Sequence, residues 1–326
     1  MAERTLGRER EYSGLRPTDP ACDLGQVATL LEGAFSEGLS KEGRQALDEM
    51  RLLSHLGPLV WLLDRIDIKF HEFFQGFVWV EGGRVVGNVN VSRVGWSLWI
   101  ISNLAVTPPY RGRGIGRRLM EAALDLACRR GGRTIILRVH ADNEIALNLY
   151  RSLGFEAVSA TTEMRLERVG RMDFALARSF TLHPMRCDEW EKEYELALAA
   201  TSAEAQELDP VRESEFRIGF DRRLGNLLTG RREYRLAVEK DGDFIATLTV
   251  RAARFWGEHR LKMIVHPDHR GYLEEMLVSK ALSILSKYPQ RGVSVKHPAN
   301  HREAIEALKR YGFVEERTLV KMRLKL

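Results

Sequence analysis

The chain has 326 residues with 50 Lys and Arg against 45 Asp and Glu, a formal charge of +5, and 44% hydrophobic and 29% charged residues. That length suits two ordinary domains better than one. The mild basic excess is dispersed among acids with no aromatic-interleaved stripe, which argues against a nucleic-acid partner and suits a small polyanionic ligand equally well.

In chain order, residues 12–16 read as a short strand, and helical segments are expected over 24–35 and 41–63. Residues 73–81, 85–94 and 97–106 are β-rich runs, and Gly82-Gly83 supplies a hairpin turn between the first two. A glycine-rich stretch, Arg111-Gly112-Arg113-Gly114-Ile115-Gly116, follows. Ile115, Leu119, Ala123 and Leu126 then recur at helical spacing, with Arg117, Arg118, Glu121 and Asp125 on other faces. Gly131-Gly132 ends that helix. Residues 134–140 are almost continuously apolar, which predicts a strand buried on both faces. Asp142 is expected to cap the next helix and Gly154 to stop it. A strand–helix–strand connection requires 97–106 and 134–140 to run parallel. Further on, 180–184 reads as a strand and 187–200 as a helix. Residues 233–239, 244–253 and 255–265 read as strands, with Asp241-Gly242 at the first turn.

The chain repeats itself. Val106-Thr107-Pro108-Pro109-Tyr110-Arg111-Gly112 resembles Val265-His266-Pro267-Asp268-His269-Arg270-Gly271 (265 − 106 = 159). His140 to Asn143 resembles His297 to Asn300 (297 − 140 = 157), and Leu153-Gly154-Phe155 resembles Tyr311-Gly312-Phe313 (312 − 154 = 158). Three blocks in one order at nearly one spacing imply two copies of one fold, 1–168 and 169–326, joined near 167–178. Each copy is expected to be mixed α/β: a mostly antiparallel sheet with a parallel strand-helix-strand unit. The small drift implies one residue lost after Gly271 and one gained after Asn300.

The position of the glycine turn, between a strand end and a helix start, carries its chemistry. The first N–H groups of a helix lack internal partners and point outward with partial positive charge. Glycines at 112, 114 and 116 let a ligand approach that backbone without Cβ atoms in the way. The product is a cradle for phosphate oxygens, flanked by Arg111, Arg113, Arg117 and Arg118. The spacing is neither GxGxxG nor GxxxxGK[ST]. On the string alone, a plain strand-to-helix turn with surface arginines explains it equally. Asn143 and Tyr150 lie seven residues apart on the next helix, which places them on one side about 10 Å apart along the axis.

With these blocks the sequence resembles the GNAT acetyltransferase superfamily. Arg111 to Gly116 fits the family's R/Q-x-x-G-x-G/A signature, and Asn103 to Gly112 is similar to its approach strand. Asn143…Ala146…Tyr150…Gly154-Phe155 looks like its second motif. The resemblance is sharp over 97–155 and vaguer over 12–168. It implies an acyltransferase of the EC 2.3.1 class that uses acetyl-CoA as cosubstrate and no metal. The cosubstrate lies between two parallel strands that splay apart. In that reading Leu104, Ala105 and Val106 hold the pantetheine arm by strand-like hydrogen bonds. Amides of Arg111, Gly112, Arg113, Gly114, Ile115, Gly116 and Arg117 hold the pyrophosphate, and Asn143 bonds the pantetheine or phosphate arm. Tyr150, beside the sulfur, is the catalytic acid: thiols ionise near pH ~8.5 and Tyr near ~10, so Tyr150 stays protonated and donates to the departing thiolate. A main-chain N–H on the splayed strand polarises the carbonyl.

No base is evident. Many family members carry an acid on the fourth strand, where this chain has Ser102 and Asn103. His71, Glu72 and Glu81 are substitutes better explained as loop or surface residues. Trp96, Trp99, Phe73 and Phe74 fit an acceptor pocket but are better explained by core or sheet-surface packing.

In the second copy no glycine follows Gly271, Leu273 aligns with Ile115, and Glu274 and Glu275 bring negative charge to the turn. Leu308 stands at the Tyr150 position (308 − 150 = 158), and Asn300 survives but is explained by capping a helix. This copy is expected to have lost its cofactor site and to complete a pseudo-dimer, wall off the acceptor pocket or bind something else. The expected activity is transfer of acetyl from acetyl-CoA to a small-molecule or peptide amine. Alternatives are a cofactor-binding sensor or interaction protein without turnover, and a tandem GNAT transferase acting on a small thiol precursor. Against the last, the resemblance puts activity in the C-terminal copy of such proteins, whereas here the first copy has the motifs.

Cys22, Cys128 and Cys187 are too few and too scattered for a disulfide framework or zinc site. No apolar signal segment follows Met1, and the stretches 59–63 and 73–80 are too short to cross a bilayer. A cytoplasmic protein without a membrane partner is therefore expected, as a monomer with an internal pseudo-dimer or as a homodimer.

Overall fold

The computed structural model describes residues 12–35, 41–55, 75–169, 181–217 and 230–326. It divides into two compact units, each drawn from more than one stretch of chain. The first comprises Met1–Arg138, Ile145–Glu156 and Met322–Leu326, and the second Val139–Glu144 and Ala157–Lys321.

In the first unit, β1 (Gly14–Pro17), β2 (Gly76–Glu81), β3 (Arg84–Arg93) and β4 (Leu98–Val106) pair in sequence order, all antiparallel. β2 and β3 turn at Gly82-Gly83, whose φ values of 54° and 76° suit glycine and match the twist of a hairpin. β5 (Thr134–His140) lies parallel to β4, as the crossover through helix α3 (Ile115–Arg129) requires. Helices α1 (Pro20–Phe35) and α2 (Lys41–Ser54) belong to one face. There Val27, Ala28, Leu31 and Leu47 pack with Val78, Val80, Val85 and Ala105. α3 packs on the other face, where a Cβ on Gly87 would stand 3.0 Å from Leu119 Cδ1 and 3.1 Å from Ile115 Cγ2. Gly87 is thus what lets α3 settle onto the sheet.

β5 departs from expectation. Ile135, Leu137 and Val139 are buried, but Thr134 and Ile136 are half-exposed and Arg138 is exposed. Its apolar run fills one face only. Helix α4 (Glu144–Ser152) begins at Glu144, so Asn143, not Asp142, stands next to its first turn. Of the expected helix over 41–63, residues 41–54 are helical and 56–63 lie outside the described residues; so does most of the expected joint at 167–178.

The second unit repeats the plan with β7 (Leu182–Pro184), β8 (Arg231–Lys240), β9 (Asp243–Ala253), β10 (His259–Val265) and β11 (Val293–Pro298). β10 and β11 pair in parallel and the others antiparallel. Helix α5 (Trp190–Ala200) follows a 3₁₀ turn, so only the later part of the expected helix is α-helical. Then come α6 (Ala203–Leu208), α7 (Glu274–Leu285) and α8 (Arg302–Arg310). Two further strands, β6 (Glu156–Leu166) and β12 (Val314–Lys325), were not legible in the sequence. β6 follows the first sequence copy, yet it pairs antiparallel with β11 from Val293↔Leu166 to Pro298↔Thr161. β12 flanks β6 on its other side. Thr162 and Thr318 share a 2.8 Å hydroxyl hydrogen bond there, and Arg317 donates to Glu163 at 2.8 Å.

Candidate functional site

β4 and β5 pair only at Leu98↔Thr134, Trp99↔Ile135 and Ile100↔Ile136, although β4 continues to Val106. Beyond Ile100 the strands separate and leave main-chain groups of both facing a gap. β4 is also irregular here. Gly87 pairs with Val106 and Asn88 with Ala105, but Asn90 pairs with Ser102, so β4 holds one residue more than β3 across this step. Asn103 has φ +55°, one of two non-glycine residues with positive φ among the described residues. This is a β-bulge, which bends a strand and frees a residue from the ladder. The Asn88 side chain spans it, donating from Nδ2 to the Asn103 carbonyl at 3.0 Å and to Asn90 Oδ1 at 2.8 Å.

Past Val106 a 3₁₀ turn (Pro108–Tyr110) leads into the glycines. Gly112 and Gly114 have φ of 77° and 78°, and a Cβ on either would meet nothing within 4 Å. Gly114 is the residue before α3 and caps it with no side chain. The first turn of α3 therefore keeps its N–H groups for an outside acceptor, with open space before them. Arg111 and Arg113 are tied back by their guanidinium groups. Arg111 Nε donates to the Val106 carbonyl at 3.0 Å, and Arg113 Nη2 to the Pro109 carbonyl at 3.1 Å while lying 5.0 Å from the Tyr110 ring centre. A Cβ on Gly116 would be 3.7 Å from Leu149 Cδ2 and 3.9 Å from Val106 Cγ2, ordinary contact distances. Gly116 thus brings the start of α3 against both the end of β4 and α4. Arg117 Nη2 donates to Ser152 Oγ at 2.6 Å and strengthens that junction.

Tyr150 lies on α4 next to Leu149, buried, with its ring centre 6.0 Å from that of Phe155. Burial pushes its pKa up to about 12, so the phenol holds its proton at neutral pH. Its hydroxyl has no hydrogen-bond partner among the described residues. The structure thus brings Val106, Arg111, Gly116, Arg117, Leu149 and Ser152 together, with Tyr150 beside them in sequence. Asn143 is separate: it is exposed at the opposite end of α4, with its N–H on the His140 carbonyl at 3.1 Å. Leu104 and Val106 are half-buried, and Ala105 and Ile115 are buried.

No carboxylate stands on β4 or β5. Ser102, Asn103 and Arg138 are exposed. Glu81 accepts from Trp79 Nε1 at 2.9 Å at the far end of β2. Trp99 is core and Trp96 is 92% exposed. His71, Glu72, Phe73 and Phe74 lie outside the described residues.

The corresponding turn of the second unit corrects the sequence alignment. α7 begins at Glu274 as α3 begins at Ile115 (274 − 115 = 159), so nothing is deleted: Leu273, not a glycine, stands at the Gly114 position. The residue before α8 is His301, so it and not Asn300 corresponds to Asn143 (301 − 143 = 158). The glutamate does more than repel anions. Its carboxylate sits on the turn's own amides, accepting from Gly271 N–H at 3.0 and 2.9 Å and from Leu273 N–H at 3.1 Å. His301 Nε2 lies 2.7 Å from its Oε1 and His301 Nδ1 lies 2.9 Å from His297 Nε2, so the His301 imidazole bridges the carboxylate and the second ring. All three side chains are buried. Burial alone would raise the Glu274 pKa, but the His301 and Gly271 hydrogen bonds outweigh it and the net shift is downward. Burial, with the neighbouring His301 and Arg270, pushes His297 down to about 3. A built-in carboxylate thus fills the place where an outside anion would bind. The β9–β10 ladder also keeps one register from Arg260↔Arg251 to Val265↔Ala246, with no bulge.

Residues 44–155 match the family model "Acetyltransferase (GNAT) family". The N-alpha-acetyltransferase RimI of Mycobacterium tuberculosis is 46% identical over 81 residues, 24% of this chain and 49% of that protein. The [Ribosomal protein bS18]-alanine N-acetyltransferase of Escherichia coli is 39% identical over 71 residues, 22% of this chain and 48% of that protein. This chain thus spans about half the length of these curated relatives. A GCN5-related N-acetyltransferase of Sphaerobacter thermophilus superposes with a TM-score of 0.60 over 95% of both chains at 16% identity, a likeness of fold.

Proposed function

We propose that this chain, whose residues 44–155 form a GNAT acetyltransferase domain, transfers acetyl from acetyl-CoA to an amine in its first copy, residues 1–168, while the second copy, 169–326, takes no cofactor. The observation that carries the reading is an asymmetry between two copies of one fold. The first has an open glycine cradle, a bulged β4 and a buried tyrosine. The second has a carboxylate in its cradle, a regular β10 and Leu308.

The residues fit acetyl-CoA. Open space before the amides of Arg111 to Arg117 suits a pyrophosphate, and separated β4 edges at Leu104, Ala105 and Val106 suit the amides of a pantetheine arm. When bound, acetyl-CoA supplies a thioester carbonyl and a thiolate leaving group. Main-chain N–H groups near the bulge polarise the carbonyl, and Tyr150 donates to the sulfur. The amine must arrive neutral. An α-amine, with a pKa of about 8, is partly neutral at pH 7, and the proton it sheds as the amide forms goes to water or back to the Tyr150 phenolate, without a dedicated base.

For the acceptor we take the α-amine of a protein N-terminus, by likeness to the N-alpha-acetyltransferase RimI of Mycobacterium tuberculosis. The test is incubation of the full chain with acetyl-CoA and two peptides, one with a free N-terminal alanine and one N-blocked with an internal lysine, read by mass spectrometry. Acetylation of the first alone is expected. Modification of the lysine alone overturns the acceptor class, and no product from these or other amines overturns the transferase reading in favour of a binding protein.

A further inference from the structure

We infer that Asn88 is a positioning residue whose buried carboxamide holds the β4 bulge in place at Asn103, and so aims the main-chain N–H groups that face the β4–β5 gap. The inference deepens the transferase reading and rests on it for its catalytic consequence.

Asn88 is 1% exposed and sits on β3 directly opposite Ala105. Both Nδ2 hydrogens are used, one on the Asn103 carbonyl at 3.0 Å and one on Asn90 Oδ1 at 2.8 Å. The Asn103 carbonyl can only accept, so the amide cannot be reversed. Asn90 pairs with Ser102, on the far side of the bulge from Ala105. The carboxamide therefore bridges the step where the register shifts, supplying a donor to a carbonyl at the point where the regular ladder breaks off. Asparagine tolerates the left-handed region better than other residues with a Cβ, and the φ of +55° at Asn103 coincides with the Asn88 bond to its carbonyl.

Asn88 Oδ1 is buried without a partner. An orphaned buried acceptor destabilises the fold, so the carboxamide serves through its donor end. The second copy is an internal control. Thr247 occupies the Asn88 position and Thr249 the Asn90 position (247 − 88 = 159; 249 − 90 = 159), and no carboxamide is available. There the ladder stays in register and no residue of β10 has positive φ.

The experiment uses the full chain and three variants: Asn88→Thr, Asn90→Leu and Asn90→Asp. Asn103 φ is read from NMR couplings. Turnover is measured with acetyl-CoA and the N-terminal alanine peptide, and near-ultraviolet circular dichroism serves as the folding control. In Asn88→Thr, Asn103 is expected to leave the left-handed region and kcat to fall about 10²-fold, the scale of losing one carbonyl-polarising donor, with the chain still folded. Asn90→Leu is expected to move the same way by less. Asn90→Asp, which keeps the acceptor oxygen, is expected to retain both bulge and turnover. A positive φ kept in Asn88→Thr overturns the hold on the bulge. A lost φ with normal kcat overturns its catalytic consequence. Absence of turnover in the unaltered chain defeats the transferase reading and this consequence together, while the φ measurement still decides what Asn88 holds.

Discussion

Tyr150 is the residue on which the choice between transferase and binding protein turns. A buried phenol at about pKa 12 is a proton donor and not a base at neutral pH. Tyr150→Phe removes the hydroxyl and keeps the ring contact with Phe155. The thioester sulfur is a weak acceptor before reaction and gains charge as it leaves, so the loss should fall on kcat, by about 10²–10⁴-fold, with KM nearly unchanged. Kinetics and melting temperature measured on the same pair of proteins check this; a lower melting temperature with full turnover identifies a packing residue instead. His297 makes a second residue-scale prediction. Its folded pKa of about 3 lies below the unfolded value near 6.5. The unfolded state therefore binds the extra proton between those values. The stability is present above about pH 6.5 and is lost as pH falls toward 3, by about 1.4 kcal/mol per unit in mid-range. Glu274, also shifted down, adds loss in the same direction at lower pH. Denaturant titrations across pH 7 to 4 should show this slope in the unaltered protein and a shallower one in His297→Gln.

At the level of elements, the strand-to-helix turn of the first unit is decided by two left-handed glycines with nothing near their Cβ positions. Gly114→Ala adds a Cβ to a left-handed residue, a cost of about 1–2 kcal/mol. Gly114→Glu adds a charge as well, before amides that would face pyrophosphate. Calorimetry should show acetyl-CoA affinity weakened in the first and absent in the second, while circular dichroism shows both folded. Unchanged affinity in the glutamate variant rules the turn out as the phosphate site. The same contrast explains why strings read better than alignments here. The glycines at 112 and 114 were legible because only glycine takes those angles freely. The match of Leu273 to Ile115 failed because it inserted a gap where the backbone has none.

For the whole molecule, one cradle is open and one is closed by its own carboxylate, so titration of the full chain should find one acetyl-CoA per chain. Two equal sites remove the asymmetry on which the function rests. The division of the chain has a further consequence. β6 belongs by sequence to the first copy but pairs with β11, and Met322–Leu326 at the chain's end belong to the first unit, where Leu326 N–H reaches the Arg133 carbonyl at 3.0 Å. A fragment ending at residue 168 leaves β6 with bare edges and the first unit without its last segment. Such edges invite aggregation. The fragment should be insoluble or molten by light scattering and near-ultraviolet circular dichroism, whereas co-expression with 169–326 should restore a soluble complex. A monomeric, well-folded fragment 1–168 contradicts the exchange.

The sequence by itself determined the repeat, the hairpins at Gly82-Gly83 and Asp241-Gly242, the parallel crossover and the glycine turn. Each is a local matter: turn angles, apolar period and helix ends are written within a few neighbouring residues. Tertiary structure decided what depends on partners distant in the chain. The partners of β6 and β12 are set by pairing between residues more than a hundred positions apart. The bulge at Asn103 depends on a carboxamide fifteen residues away, and no local signal marks Asn88 among the polar residues of a strand. Glu274 was read as a repelling charge because sequence shows its sign. That its carboxylate turns back onto Gly271 and Leu273, held by His301, follows only from three segments meeting in a buried space.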